Sequence, residues 1–108
     1  MTMKLIKPEE MENQVGVSLP AGEWFEIDQA RINAFADCTE DHQFIHLDEE
    51  AAAQTPFGGT IAHGFLTLSL LTKLCAENGI YPEGVVMGVN YGLDKVRFLN
   101  PVRAGKRV

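Results

Sequence analysis

A chain of 108 residues has room for one domain, and a composition 45% hydrophobic and 22% charged is that of a globular protein, which excludes a disordered or fibrous one. A net charge of −6 argues against nucleic acid as the main partner, because a phosphate backbone needs a basic stripe. No membrane span and no secretory leader is legible, and Cys38 and Cys75, without CxxC spacing, read as reduced thiols at half-buried helix positions, so a cytoplasmic protein is expected.

Taken in order, Pro8 to Glu12 predicts a short helix with Pro in its first turn and acids at the positive end of its dipole. Gly16 to Gly22 reads as loop and Glu23 to Ile27 as a short strand. Asp28 is a good N-cap for a helix from Gln29 to about Cys38, with Ile32, Phe35 and Ala36 on one face. Thr39-Glu40-Asp41 ends that helix and opens a polar cluster, Asp41 to Asp48. A second short helix, Asp48 to Gln54, is capped by Asp48 and broken by Thr55-Pro56-Phe57-Gly58-Gly59.

Thr60 is placed to cap a long central helix over about residues 60–78, ending at Asn78-Gly79. Its stretch from Ile61 to Cys75 is apolar almost all round, which marks a buried helix, and a curved antiparallel sheet is the economical wrapping. Val85 to Leu99 reads as strand, with Val96 and Phe98 alternating with Lys95 and Arg97, and with Gly88 and Gly92 marking a bend, a bulge or a close approach. A turn over Asn100 to Gly105 precedes the start of another strand at Lys106. Lys95, Arg97, Arg103, Lys106 and Arg107 either serve a phosphate-bearing ligand or are solvated charges beside a strand.

The polar cluster carries the chemistry. Asp41 and His46 flank Phe44 and Ile45, an apolar pair able to anchor the loop in the core. An Asp and a His facing one pocket hold a water between them and pass protons both ways. Backbone N–H groups at Ala62, His63 and Gly64 suit a developing oxyanion, and Gly64 permits close approach. The set suits adding water to, or removing it from, an α,β-unsaturated thioester. The plainer alternatives are a turn-forming Asp with a satisfied His, a capping role for Asp48, an exposed His42, and a His63 that is either a core residue or lines the pocket. With no HxH, HExxH or Cys-His set, no metal is expected. Thr67 and Ser69 lack a nucleophile-elbow context and read as bonding to their own helix.

These residues resemble the MaoC-like dehydratases, the (R)-specific enoyl-CoA hydratases, and within them the nodulation protein N-like branch. The resemblance lies in Phe35-Ala36, Thr39, Asp41 to Asp48, Pro56 to Gly64, Leu66 to Leu71, Met87 to Gly92 and Lys95 to Phe98. The commoner loop reads Asn-Pro-(Ile/Leu)-His where this chain has Gln43-Phe44-Ile45-His46. The resemblance implies a single α+β hot-dog domain over 1–108, an antiparallel β-sheet wrapped around the central helix, with the C-terminal strands truncated relative to the family. It implies reversible syn hydration of a trans-2-enoyl-CoA to an (R)-3-hydroxyacyl-CoA by Asp41 and His46, with no metal and no other cofactor. Gly64 would contact the thioester carbonyl, with His63, Ala62, Gly59, Asn90 and Tyr91 as further substrate-binding positions. The implied partners are an acyl-CoA or acyl-carrier thioester and a second copy of the chain in a homodimer, with no nucleic acid and no membrane. The alternatives are a non-catalytic acyl-thioester-binding or assembly module and an acyl-CoA thioesterase; the latter is disfavoured because the helix has no Asp or Glu between Ile61 and Ala76.

Overall fold

The structure is a computed structural model that describes residues 3–108; Met1 and Thr2, the first residues of the stretch read for a leader, lie outside them. The chain divides into two compact units, Met1–Glu23 with Leu71–Val96, and Trp24–Leu70 with Arg97–Val108.

In the first unit, strand β1 (Lys4–Ile6) pairs in parallel with β3 (Ile80–Pro82), Leu5 opposite Tyr81. Between them in sequence Pro8–Gln14 forms a 3-10 helix, with Pro at its start and Glu9 and Glu10 in its first turn, as their chemistry predicts. Helix α5 (Leu71–Ala76) also belongs to this unit, closed by a Lys73–Glu77 ion pair at 2.6 Å.

The second unit carries the candidate site. Strand β2 (Glu26–Ile27) pairs antiparallel with β4 (Lys106–Arg107), and the ladder extends through reciprocal Phe25–Val108 backbone bonds of 2.9 Å. Helix α1 (Gln29–Thr39) starts where Asp28 accepts a hydrogen bond from the Arg31 N–H (2.8 Å) and stops at Glu40, whose φ of 61° is left-handed. Helix α2 (Phe44–Leu47) follows, then α3 (Glu49–Ala53), capped by Asp48 accepting from the Ala51 N–H. Helix α4 (Gly64–Ser69) packs Leu66 on Ile27, Ile32 and Ala62, with Phe25, Phe35, Val102 and Val108 around them. Ile27 and Ile32 are fully buried, each contributing about 1.5–3 kcal/mol by area.

Several expectations are corrected. The long helix over 60–78 is absent as such: Thr60 to Ala62 is extended and paired with residues 102–104, through Ala62 N–H to the Val102 carbonyl (2.8 Å) and Ala104 N–H to the Thr60 carbonyl (3.0 Å). Helix therefore begins only at Gly64, and His63, not Thr60, is its N-cap. It is interrupted at Leu70, between Ser69 and Leu71. Nor is it buried all round: Phe65 in α4 is 67% exposed and Leu71 in α5 is exposed, and each of the two sheets among the described residues has only two strands. Val85 to Leu99 forms no strand, since alternation supplies propensity but a strand also needs a paired edge. Phe44 is exposed rather than anchored, and Cys38 and Cys75 are exposed, not half-buried. Ser69 does bond back to the Phe65 carbonyl (2.6 Å). No helix among the described residues is long and apolar enough to cross a membrane.

Candidate active site

Three side chains from α2, the loop before it and the start of α4 converge. One carboxylate oxygen of Asp41, one ring nitrogen of His46 and one of His63 all lie within 4.8 Å of each other. That spacing accepts a water making two hydrogen bonds of about 2.8 Å. His46 is buried and donates Nδ1–H to the Ile61 carbonyl at 2.7 Å. A carbonyl only accepts, so this bond fixes the tautomer and leaves Nε2 with its lone pair, the form a general base needs. The Ile61 N–H in turn donates to the Ile45 carbonyl (3.0 Å), so both backbone groups of Ile61 hold α2 in place. Asp41 is half-exposed, its Oδ1 accepting the Gln43 N–H at 3.3 Å in an Asx turn.

A second set of polar residues, invisible to spacing arguments, sets the frame. Gln29, at the start of α1, donates its Nε2–H groups to the His46 carbonyl (2.7 Å) and to Asn33 (2.9 Å). Its Oε1 faces the Thr60 hydroxyl at 2.7 Å, which it shares with a Glu49 carboxylate oxygen also at 2.7 Å. Thr60 is fully buried, so these partners satisfy a group that would otherwise be costly. Arg103 donates to the Phe57 carbonyl (3.2 Å) and sits 3.7 Å from Glu49, so it braces the Gly58-Gly59 turn. A Cβ on Gly59 would meet the ends of the Arg103 and Glu49 side chains, which would have to move aside. Arg107 lies over the Trp24 ring.

Glu49 yields a pH prediction. Its carboxyl is held below its ordinary 4.5, first by the Thr60 N–H, then by the Thr60 hydroxyl, and less by Arg103. A carboxyl depressed on folding stabilises the fold fully above its unfolded value, near 4.5, and that contribution is lost as pH falls through the folded value. The melting temperature of Glu49→Gln is therefore expected below that of the parent chain at about pH 7, with the gap narrowing as pH falls below 4.5 through the folded value. A gap that does not change with pH would refute the link. Glu49 is exposed, so the gap is small and shrinks with salt.

The remaining expected positions separate. Ala62 and Gly64 line a cleft of about 360 Å³ whose other walls include Phe57, Ile61, Thr67, Phe98 and Val102; the size is within the range of small-ligand sites. The Ala62 N–H is spent on Val102, so it is not an oxyanion donor. A Cβ on Gly64 would meet the Phe98 ring at 2.6–2.8 Å. His63, between Ala62 and Gly64, is only 2% exposed and packs in the cluster. Asn90 and Tyr91 belong to the first unit, in chain without regular secondary structure, and both are exposed. His42 is exposed and bonded to Asp37 at 2.9 Å.

The Asp41, His46 and His63 donors also need testing against a cation. A tetrahedral zinc needs in-plane lone pairs converging at about 2.1 Å. The two imidazoles are stacked, centroids 3.8 Å apart and planes at 23°, which sets their in-plane lone pairs side by side instead of converging.

The chain belongs to the MaoC-like family: the sequence profile of the MaoC like domain matches residues 10–108. It is 51% identical over 107 residues to Nodulation protein N of Rhizobium meliloti, covering 98% of this chain and 66% of that protein. It is 51% identical over 94 residues to 3-hydroxyacyl-thioester dehydratase Z of Mycobacterium tuberculosis, covering 86% of this chain and 61% of that protein. Among solved structures it is similar to the (R)-hydratase from A. caviae involved in PHA biosynthesis, with a TM-score of 0.59 and 30% identity, covering 85% of this chain and 69% of that one. The fold is thus the hot dog that the resemblance implied. The chain spans 61–66% of the length of these curated relatives.

Proposed function

We propose that this chain carries the catalytic dyad of a hydratase that adds water reversibly to a trans-2-enoyl thioester, giving the (R)-3-hydroxyacyl thioester. The observation that carries the reading is the convergence of Asp41 with a His46 whose Nδ1–H is committed to Ile61. Asp41 and His46 hold one water. A proton passes from that water to the dyad as its oxygen bonds to C3, and the C2=C3 electron pair moves toward the thioester carbonyl. The dyad then returns a proton to C2, so the product gains one H and one OH and nothing is oxidised or reduced. Both groups arrive from the side where the water sits, which accounts for syn addition.

The Gly64 N–H is the donor assigned to the enolate oxygen, and the apolar cleft beside it, walled by Phe57, Ile61, Phe98 and Val102, is assigned to the acyl chain. Ala62 contributes cleft wall, and Gly59 keeps the turn beside it tight. Asn90 and Tyr91 are retained as substrate contacts on the strength of the resemblance. The reaction as written moves only water and protons and needs no metal or redox cofactor. A cytoplasmic homodimer handling CoA or acyl-carrier thioesters belongs to the same reading; exposed Val86, Met87 and Val89 support an apolar surface to be covered by the second copy.

The test is hydration of crotonyl-CoA by the purified protein, followed as loss of the conjugated enoyl absorbance, with chiral analysis of the product. Turnover to the (R)-alcohol is expected. Binding of the thioester without turnover would replace the hydratase by a binding module, and release of free CoA would replace it by a thioesterase.

A further inference from the structure

His63 has no step in the reaction just described, yet it touches both members of the dyad. Its Nε2–H donates to the Asp41 backbone carbonyl at 3.0 Å, across 22 residues of sequence. Its ring stacks on His46 at 3.8 Å and meets the Phe35 ring, centroids 4.9 Å apart. Since a carbonyl only accepts, Nε2 carries the proton, and in the neutral ring Nδ1 holds a lone pair. That Nδ1 is buried with no partner among the described residues. An unsatisfied buried acceptor is costly, and an apolar ring would fill the same space between His46 and Phe35 without it. Packing alone therefore does not account for a histidine here; the bond from Nε2 does.

The bond falls where the loop needs it. Asp41 follows Glu40, the left-handed residue ending α1, and precedes α2, and among the described residues its carboxylate accepts a hydrogen bond only from the Gln43 N–H, at 3.3 Å to Oδ1. The other oxygen, Oδ2, lies 4.0 Å from His63 Nε2. Pinning the Asp41 carbonyl from a residue that is itself buried turns an exposed loop carboxylate into one with a fixed direction.

We propose that His63 is a positioning residue: its Nε2–H clamps the Asp41 backbone so that the carboxylate stays aimed at the water shared with His46. The proposal deepens the hydratase reading and rests on it for its kinetic consequence, but the clamp itself is a property of the free protein.

Three variants test it. His63→Phe keeps a ring between His46 and Phe35 and removes the donor; His63→Leu does the same with less bulk, should the phenyl ring not fit; His63→Gln keeps an N–H at the same reach. With crotonyl-CoA, Phe or Leu is expected to lower kcat about tenfold with KM little changed, and Gln to restore it. In an Asp41→Asn background the Phe substitution should cost nothing further, because it acts through Asp41. In the substrate-free protein the amide order parameter of Asp41 should fall from about 0.85 toward 0.6 in the Phe or Leu variant and not in Gln. A folded Phe or Leu variant with unchanged kcat, or an Asp41 as rigid as before, would overturn the clamp. If the parent chain does not hydrate crotonyl-CoA, the hydratase reading fails by itself and the order parameters still decide the clamp.

Discussion

Asp41→Asn is expected to lower kcat for crotonyl-CoA hydration by about a thousandfold, which is about 4 kcal/mol on the barrier. Asparagine matches the carboxylate in shape, and its carbonyl oxygen can still accept the Gln43 N–H. The backbone clamp from His63 is untouched, because it ends on the Asp41 carbonyl and not on its side chain. What disappears, on the proposed mechanism, is one of the two groups that share the water and its proton. The side chain is half-exposed, so stability should change by no more than about 0.5 kcal/mol, and the loss can be read as chemistry. His46 is the less clean probe. It is buried, bonded to Ile61 through its ring and to Gln29 through its carbonyl, and stacked on His63, so replacing it disturbs α2 and the rate together. Thermal melts beside initial rates make the check. An Asn variant within tenfold of the parent would remove Asp41 from the mechanism and with it the dyad.

The parts of this site that were legible in the sequence are those whose cause is local. Asp28 and Asp48 cap their helices because a short side-chain acceptor reaches an N–H three residues on, and no other part of the chain is required. Asp41 and His46 come together because one short loop and one helical turn separate them. The parts that were not legible depend on partners far away in sequence. Thr60 to Ala62 reads as helix start by its residue types, yet the edge formed by residues 102–104 draws it into extended pairing and moves the helix start to Gly64. His63 reads equally as core or pocket, since nothing local tells of a carbonyl 22 residues back. Gln29 carries no signal in its own surroundings, because its partners at His46 and Thr60 lie 17 and 31 residues on. The helix was expected too long and too buried for a related reason: an apolar run measures what could be covered, while the covering strands have to come from elsewhere.

Gly64→Ala is expected to cost both stability and rate, and the two losses should separate. Gly64 is not among the glycines with positive φ, so its backbone suits alanine, and at a helix start alanine alone would add a few tenths of a kcal/mol. Against that, the new methyl meets three Phe98 ring carbons at 2.6–2.8 Å, closer than carbon atoms approach. Overpacking costs about 1–3 kcal/mol, but Phe98 is half-exposed and rests edge-on against Phe65, so it can swing outward and the low end applies. The clash outweighs the propensity gain, and a net loss near 1 kcal/mol is expected. The rate should fall about a hundredfold, because the methyl stands beside the N–H assigned to the enolate oxygen and in the wall of the acyl cleft. Adding Phe98→Ala removes the clash and should restore the melting temperature to that of Phe98→Ala alone. If the rate stays low in the double variant, the glycine serves the substrate as well as Phe98. If it recovers to the rate of Phe98→Ala, the glycine exists for the phenyl ring, and the oxyanion donor has to be sought at another N–H.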